Sequence, residues 1–313
     1  MQNILITGGN GFIASHLVDS LAISGYKITV LDVYPRAYDS LPQGVNFVQG
    51  TLQNIHLIRR TLEDHQIELV YHAAWANIAE TALKDPVADV QTNLAASINM
   101  LNACSDTGVK RVVYLSSGGT VYGLPKRIPI PEDHPTDPIN AYGITKLMVE
   151  KYLRMFHHLY GLEYTILRPS VPYGPRQNPF HRQGVVTVFI YNALKEEQVT
   201  IFGDGKVMRD YFYIEDLTRA LVAAKDIAFD PIKTTFNLGG VQSYSLNDLV
   251  TKIESVLGIK MLVKYEPARK FDVPHIQLDT SLAQSHLNWK PTVSLEQGIQ
   301  RTADWLQNWV IQQ

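Results

Sequence analysis

Apolar and polar positions along the first half of the chain repeat as one unit: a short apolar run, a turn, then an amphipathic stretch. The runs are Asn3 to Thr7, Lys27 to Leu31, Val45 to Gln49, Glu68 to His72, Arg111 to Leu115 and Tyr164 to Arg168. Their length and near-continuous hydrophobicity predict strands buried on both faces. Between them, Ser15 to Ile23, Ile55 to His65, Val87 to Thr107 and a segment starting near Asn140 carry apolar residues at helical spacing. Strand-then-helix units of this size predict an α/β fold, a doubly wound parallel sheet of the Rossmann kind with crossover helices. Ligands of such sheets sit beyond the carboxyl ends of the strands.

After Pro169 the pattern loosens into Pro172-Tyr173-Gly174-Pro175-Arg176-Gln177-Asn178-Pro179, which is dense in turn formers. A smaller C-terminal substrate lobe is expected to begin there, so residues 1–167 form a dinucleotide-binding domain and 168–313 mainly the lobe. Helices are expected over Gly184 to Glu196, Glu215 to Lys225 and Leu295 to Trp309, with Ala268 to Asp272 in a lid. Thr234 to Leu238 reads as a strand that returns to the sheet, so 213–240 rejoin the first domain.

The first strand runs into Gly8-Gly9-Asn10-Gly11-Phe12-Ile13-Ala14 and then a helix. Gly8 permits a tight turn, Gly11 lets the backbone approach a pyrophosphate, and Ala14 allows close helix packing. The second strand ends in Asp32, where a carboxylate accepts hydrogen bonds from an adenosine ribose. It repels a 2′-phosphate by roughly 1 to 4 kcal/mol at about 4 Å. NAD is therefore expected over NADP, with Arg36 the one nearby cation suited to a 2′-phosphate. Phe12 and Ile13 at the turn, Leu52 beyond the third strand, Ala73 and Ala74 beyond the fourth, and Pro169 at the end of the sixth join the candidate cofactor contacts.

The candidate chemistry lies between Ser116 and Lys146. Tyr142 and Lys146 are four apart, so on a helix both side chains share a face. An ammonium there is expected to favour the phenolate and tune Tyr142 as a proton shuttle. The same spacing occurs at Tyr122/Lys126, where Gly123 and Pro125 argue for a loop, and at Tyr191/Lys195, which no Ser- or Thr-rich strand end precedes. Only Tyr142/Lys146 follows such a tip, Ser116-Ser117-Gly118-Gly119-Thr120. Arg209 and Arg269 are candidates to grip a diphosphate, because guanidinium forks match phosphate oxygens.

Composition narrows the partners. The net charge of −2 gives no electrostatic case for nucleic acid or an anionic membrane, and no apolar run approaches spanning length. The N-terminus enters a strand directly, without the basic and apolar regions of a leader. The single Cys104 forms no intramolecular disulfide, which points to a reducing, cytoplasmic setting. No His, Cys or carboxylate spacing reads as a metal site.

Together, Thr7-Gly8-Gly9-x-Gly11-x-x-Ala14, Asp32, His72-x-Ala74, Asn93, Ser116-Ser117, Thr120-Val121-Tyr122-Gly123, Tyr142-x-x-x-Lys146, Arg209-Asp210-Tyr211 and Arg269-x-x-Asp272 resemble the extended short-chain dehydrogenase/reductase superfamily. Within it the chain is most similar to the nucleotide-sugar epimerase/dehydratase branch and its UDP-glucose 4-epimerases. The resemblance implies tightly held NAD, Tyr142 as acid and base, Lys146 on the nicotinamide ribose, and Asn93 and Ser116 near the cofactor. It further implies a UDP-sugar under the second lobe, with Arg209, Arg269 and Asp272 among its contacts, and a homodimer packed through the two long helices. The family's substrate-facing hydroxyl falls at Gly118, so Thr120 or Ser117 must substitute. The Asn that commonly meets the diphosphate is Val171, and the Asp-Glu pair of 4,6-dehydratases is Gly119-Thr120, which disfavours dehydration. The expected function is C4 epimerisation of a UDP-hexose or UDP-N-acetylhexosamine; the alternatives are a nucleotide-4-keto-sugar reductase and a non-catalytic NAD-binding relative.

Overall fold

All six apolar runs are strands of one parallel sheet: β1 (Asn3–Thr7), β2 (Lys27–Asp32), β3 (Asn46–Gln49), β4 (Leu69–His72), β5 (Arg111–Leu115) and β6 (Glu163–Pro169). A seventh strand, Thr235–Leu238, pairs parallel with β6. The computed structural model describes residues 2–76, 79–180, 184–269 and 272–308. Lys270 and Phe271 of the expected lid, and Trp309 of the expected last helix, lie outside the described residues.

Across the sheet the order is Thr235–Leu238, β6, β5, β4, β1, β2, β3. The chain thus builds outward from β1 and restarts on its other side at β4. These two strands are neighbours in register, with Thr7 opposite His72. The crevice of a doubly wound sheet opens at such a reversal, and the residues that follow, Gly8 and Ala73, enter it from adjacent strands.

Side chains alternate across the sheet. Ile4, Ile6, Val30, Tyr71 and Val113 pack on the helices Phe12–Ile23 and Ile214–Ala224. Leu5, Leu31, Val70, Val112 and Tyr114 pack on Ile55–Asp64, Ala96–Thr107 and Ala141–Tyr160. Each large apolar side chain buried this way contributes about 1.5–3 kcal/mol, so both faces hold the sheet and neither is left to water.

The long helix expected from Val87 to Thr107 runs without interruption from Pro86 to Thr107, with a π-helical segment inside it. Asp85 caps a new start at Pro86, its side chain accepting from Ala88 N at 2.9 Å. Val90–Ala95 then winds as a π-helix before Ala96–Thr107 resumes the α form. Periodicity does not register the extra residue of such a turn, which re-aims one side chain inward; Asn93, within it, is buried.

The second lobe is built from short paired strands, Val171–Tyr173 with Tyr211–Tyr213, Gln198–Phe202 with Leu262–Glu266, and Met208–Arg209 with Tyr244–Ser245. Helices Val185–Leu194, Leu246–Leu257 and Leu295–Leu306 accompany them. A charged seam ties it to the first domain: Arg176 contacts Asp19 at 2.7 Å and Asp39 at 2.9 Å.

Beneath the sheet end lies a buried ion pair. Arg168 Nε donates to Glu150 Oε1 at 2.9 Å, and Arg168 NH1 donates to Tyr122 OH at 2.7 Å. The Tyr122 hydroxyl donates to Asn237 Oδ1 at 2.7 Å, joining β6, the Ala141–Tyr160 helix and the seventh strand. Removing one partner of such a pair leaves the other charge uncompensated. Glu150→Gln is expected to cost about 3–5 kcal/mol of unfolding free energy in denaturant titration; a change under about 1 kcal/mol would show that the pair does not hold these elements together.

Candidate active site

The glycine turn after β1 is shaped by contact. Gly8 has φ +69°, and a Cβ there would come within 2.7 Å of Ala74 Cα. The turn is closed by Gly11 N donating to Gly8 O at 3.0 Å. Gly11 caps the Phe12–Ile23 helix with no side-chain hydrogen bond, so the first N–H groups, near Phe12 and Ile13, face the crevice end without a capping side chain. That is the geometry of an anion cradle.

Asp32 Oδ2 accepts from Asn10 N at 3.0 Å, and Oδ1 accepts from Tyr34 N at 3.3 Å, fixing the carboxylate beside the turn. Arg36 is turned away from any 2′-phosphate role. Its guanidinium donates to both Asp19 oxygens, at 2.8 and 2.9 Å, and to Ser15 O. The residues present therefore suit NAD: a side-chain-free turn, an uncapped helix start and a ribose carboxylate with no competing cation.

Leu52 is buried against the sheet, and Gly50 N donates to Asp32 O at 2.9 Å, bringing the β3 turn to the same end. Ala73 and Ala74 line the β4 exit. Asn93 anchors that exit, accepting from Ala76 N at 2.9 Å and donating to Asp89 Oδ1 at 2.8 Å. Pro169 O accepts from Gly118 N at 2.8 Å.

Asn140 caps the Ala141–Tyr160 helix by accepting from Gly143 N at 2.8 Å. At Gly143 a Cβ would lie 2.8 Å from Thr120 O, so the helix start presses directly on the Ser116–Thr120 strap. This close approach sets Tyr142 beside Ser117, whose side chain is near enough to ease the phenol towards its anion. Ser116 Oγ is directed elsewhere, donating to Glu150 Oε1. Thr120 Oγ1 is buried without a hydrogen-bond partner among the described residues. Of the two hydroxyls expected to replace the one missing at Gly118, Ser117 is the one beside Tyr142.

Lys146 shares the helix with Tyr142. Its Nζ donates to Leu115 O at 2.8 Å and lies 5.8 Å from the Tyr142 ring centre. Burial pulls its pKa down to about 7, against the pull of the Asp89 and Glu150 charges. The phenol of Tyr142 is pushed up by burial and by Asp89, and the Ser117 side chain only partly opposes this. Without a bound cofactor, burial and the Asp89 charge thus outweigh what favours the phenolate. Two residues absent from the sequence expectations shape this result. Asp89 was signalled by its i−4 spacing to Asn93, and Trp75 by a bulky ring directly after Ala73-Ala74. The Trp75 ring centre lies 3.7 Å from Lys146 Nζ, and its edge meets Tyr142.

In the second lobe, Arg209 and the Arg269–Asp272 pair share a neighbourhood, since Asp272 and Arg269 both act on the Arg209 charge. Arg269 Nε and NH2 donate to Asp272 at 2.9 and 3.1 Å, and the guanidinium lies over Phe202. Arg209 NH1 donates to Met208 O at 2.7 Å. Next to it, Asp210 is a staple: it accepts from Ser170 Oγ and from Leu278 N, and burial raises its pKa to about 7. Among the described residues no group of His, Cys, Asp and Glu could hold a metal ion, and no helix is long and apolar enough to cross a membrane.

Known proteins share this architecture. The sequence profile described as "NAD dependent epimerase/dehydratase family" matches residues 4–239. A putative UDP-glucose 4-epimerase of Methanocaldococcus jannaschii is 34% identical over 306 residues, which cover 97% of this chain and 98% of that protein. The UDP-glucose 4-epimerase of Thermotoga maritima, solved with UDP-glucose, superposes with a TM-score of 0.93 at 36% identity, over 98% of this chain and 99% of that one. The Thermus thermophilus UDP-glucose 4-epimerase in complex with NAD gives a TM-score of 0.91 at 30% identity, with coverage of 98% and 99%.

Gly118 has a steric reason. A Cβ at this position would sit 2.4 Å from Leu278 Cδ1 and 2.8 Å from Arg168 O. Gly118→Ser is therefore expected to destabilise by about 1–3 kcal/mol through overpacking. Urea titration of the variant checks it; a Ser tolerated at no cost would mean that Leu278 yields.

Proposed function

Since the chain belongs to the NAD dependent epimerase/dehydratase family, we propose that it epimerises a UDP-hexose or UDP-N-acetylhexosamine at C4, using NAD. The observation that carries this reading is Tyr142 and Lys146 one helical turn apart, with the ammonium 5.8 Å from the phenol ring centre, on a helix start pressed against the Ser116–Thr120 strap at the crevice of the sheet.

NAD, when bound, supplies an acceptor and then a donor of hydride at C4. Gly8, Gly11, Phe12 and Ile13 would hold its pyrophosphate and Asp32 its adenosine ribose, with Leu52, Ala73, Ala74 and Pro169 as walls. Asn93 and Ser116 act from behind, one fixing the β4 exit and the other bonded to Glu150. Lys146 would hold the nicotinamide ribose. Tyr142 removes the proton of the 4-hydroxyl, with Ser117 as the hydroxyl that shares it. It returns the proton once the 4-keto sugar has turned to present its other face. Thr120, buried and unpartnered at Oγ1, lies on the same strap and orients the sugar. Arg209, Arg269 and Asp272 take the nucleotide side. At Gly119 a Cβ would meet nothing within 4 Å, so the place of a dehydratase carboxylate is open space. Residues 1–167 with 213–240 serve the cofactor, and the remainder of 168–313 serves the sugar nucleotide. We place the reaction in the cytoplasm, where the free, buried Cys104 stays reduced.

The test is to incubate the purified chain with UDP-, GDP- and dTDP-sugars without added cofactor and follow C4 stereochemistry by proton NMR. Tyr142→Phe is expected to lose at least roughly a hundredfold in rate with NAD still bound, and Ser117→Ala more than Thr120→Val. Turnover only with stoichiometric NAD(P)H would instead identify a reductase, and a Tyr142→Phe protein of unchanged activity would sink the assignment.

An uncovered apolar face supports the homodimer reading. Ile144, Met148, Met155 and Leu159 share one side of the Ala141–Tyr160 helix and are exposed, as are Val87 and Val90 on the elements packed beside it. Apolar residues at this spacing suit helix-on-helix association. Sedimentation at micromolar concentration is expected to give twice the chain mass, and Ile144→Lys with Met155→Lys to give a single one.

A further inference from the structure

Lys146 reaches the crevice with its ammonium already enclosed. One side donates to Leu115 O at 2.8 Å, and the Trp75 ring centre lies 3.7 Å away on Nζ. The Tyr114 ring stands 5.1 Å off, and the residue as a whole is 3% exposed. A ribose hydroxyl bonded to this nitrogen must come to about 2.9 Å. Along the line to Trp75, such an oxygen would fall inside the thickness of the indole itself. The indole and a ribose therefore cannot use that side of the ammonium together.

The indole is incompletely satisfied where it lies. Its Nε1 is buried without a hydrogen-bond partner among the described residues, a condition that penalises the position it occupies. Against this stand its packing on the core, the ammonium under its face and a contact with Tyr142 at 5.9 Å between ring centres and 76° between planes. Its backbone neighbours are firm: Ala74 N donates to Thr7 Oγ1 at 3.3 Å and Ala76 N to Asn93 Oδ1 at 2.9 Å. The side chain can swing while the loop stays in place.

We propose that Trp75 competes with the cofactor's ribose for the Lys146 ammonium, so that this indole is a positioning residue that withholds Lys146 until it is turned aside. The inference rests on the reading that NAD is bound here. It makes cofactor loading an exchange of partners on one ammonium, with a cost set by the cation–π contact. Such contacts are worth several-fold to some thirtyfold in binding when desolvated.

The test uses the full chain, freed of nucleotide and titrated with NAD by calorimetry and by tryptophan emission. Trp75→Ala is expected to bind NAD roughly tenfold more tightly than the unaltered chain. Trp75→Phe, which keeps a smaller and weaker ring, should fall between them and guards against a folding defect in the alanine variant. In the unaltered chain, NAD should red-shift an emission component that Trp75→Phe lacks. The pH profile gives a reading that a merely structural role would not move: burial lowers the pKa of Lys146 and opening the site to water raises it, so the midpoint of the pH dependence of NAD affinity is expected to move upward in Trp75→Ala. Equal or weaker NAD binding by both variants would overturn the proposal alone, showing an indole that supports the cofactor. Absence of NAD binding in all three proteins would overturn it together with the cofactor reading.

Discussion

A single positive charge, buried where a parallel sheet ends, governs much of this structure. Removing an ammonium from water costs several kcal/mol unless its surroundings answer the charge. Around Lys146 they do so in layers: a strand carbonyl at Leu115, three aromatic rings, and the carboxylates of Asp89 and Glu150 farther out. Glu150 is also the counter-charge of Arg168. The residue that steadies the site is thus the same one that joins β6 to the helix, and neither duty is separable from the other.

Two close approaches fix where the hydroxyls go. The Ala141–Tyr160 helix starts against Thr120 because Gly143 leaves room, and the strap lies against Arg168 and Leu278 because Gly118 does. The second contact leaves no side chain at Gly118, where the family resemblance implies a hydroxyl, and the first brings the strap, with the neighbouring Ser117, against the start of the helix that carries Tyr142. A one-residue shift of the hydroxyl along the strap is thereby matched by how tightly the helix seats.

The parallel sheet was legible because strands buried on both faces leave continuous apolar runs, and the crevice because Gly8 and Asp32 sit at strand ends. Features that periodicity does not carry were not legible. The π-turn at Val90–Ala95 adds one residue without changing composition. The burial of Lys146 and Tyr142, a three-dimensional quantity, cannot be read from their spacing. Arg36 could be placed only once Asp19 and Asp39 were seen to engage it. Arg269 and Asp272, read together as Arg269-x-x-Asp272, bond to each other as i,i+3 opposite charges do.

The return of Thr235–Leu238 to the edge of β6 has a bearing on how this enzyme type diversifies. The chain leaves the sheet after Pro169, comes back through the Ile214–Ala224 helix and the seventh strand, and leaves again. What lies outside the sheet after β6 is therefore two separate segments rather than one cassette. Exchanging it with a relative's requires two grafts with matched seams, and a one-piece swap of everything after β6 would carry away an edge strand of the sheet.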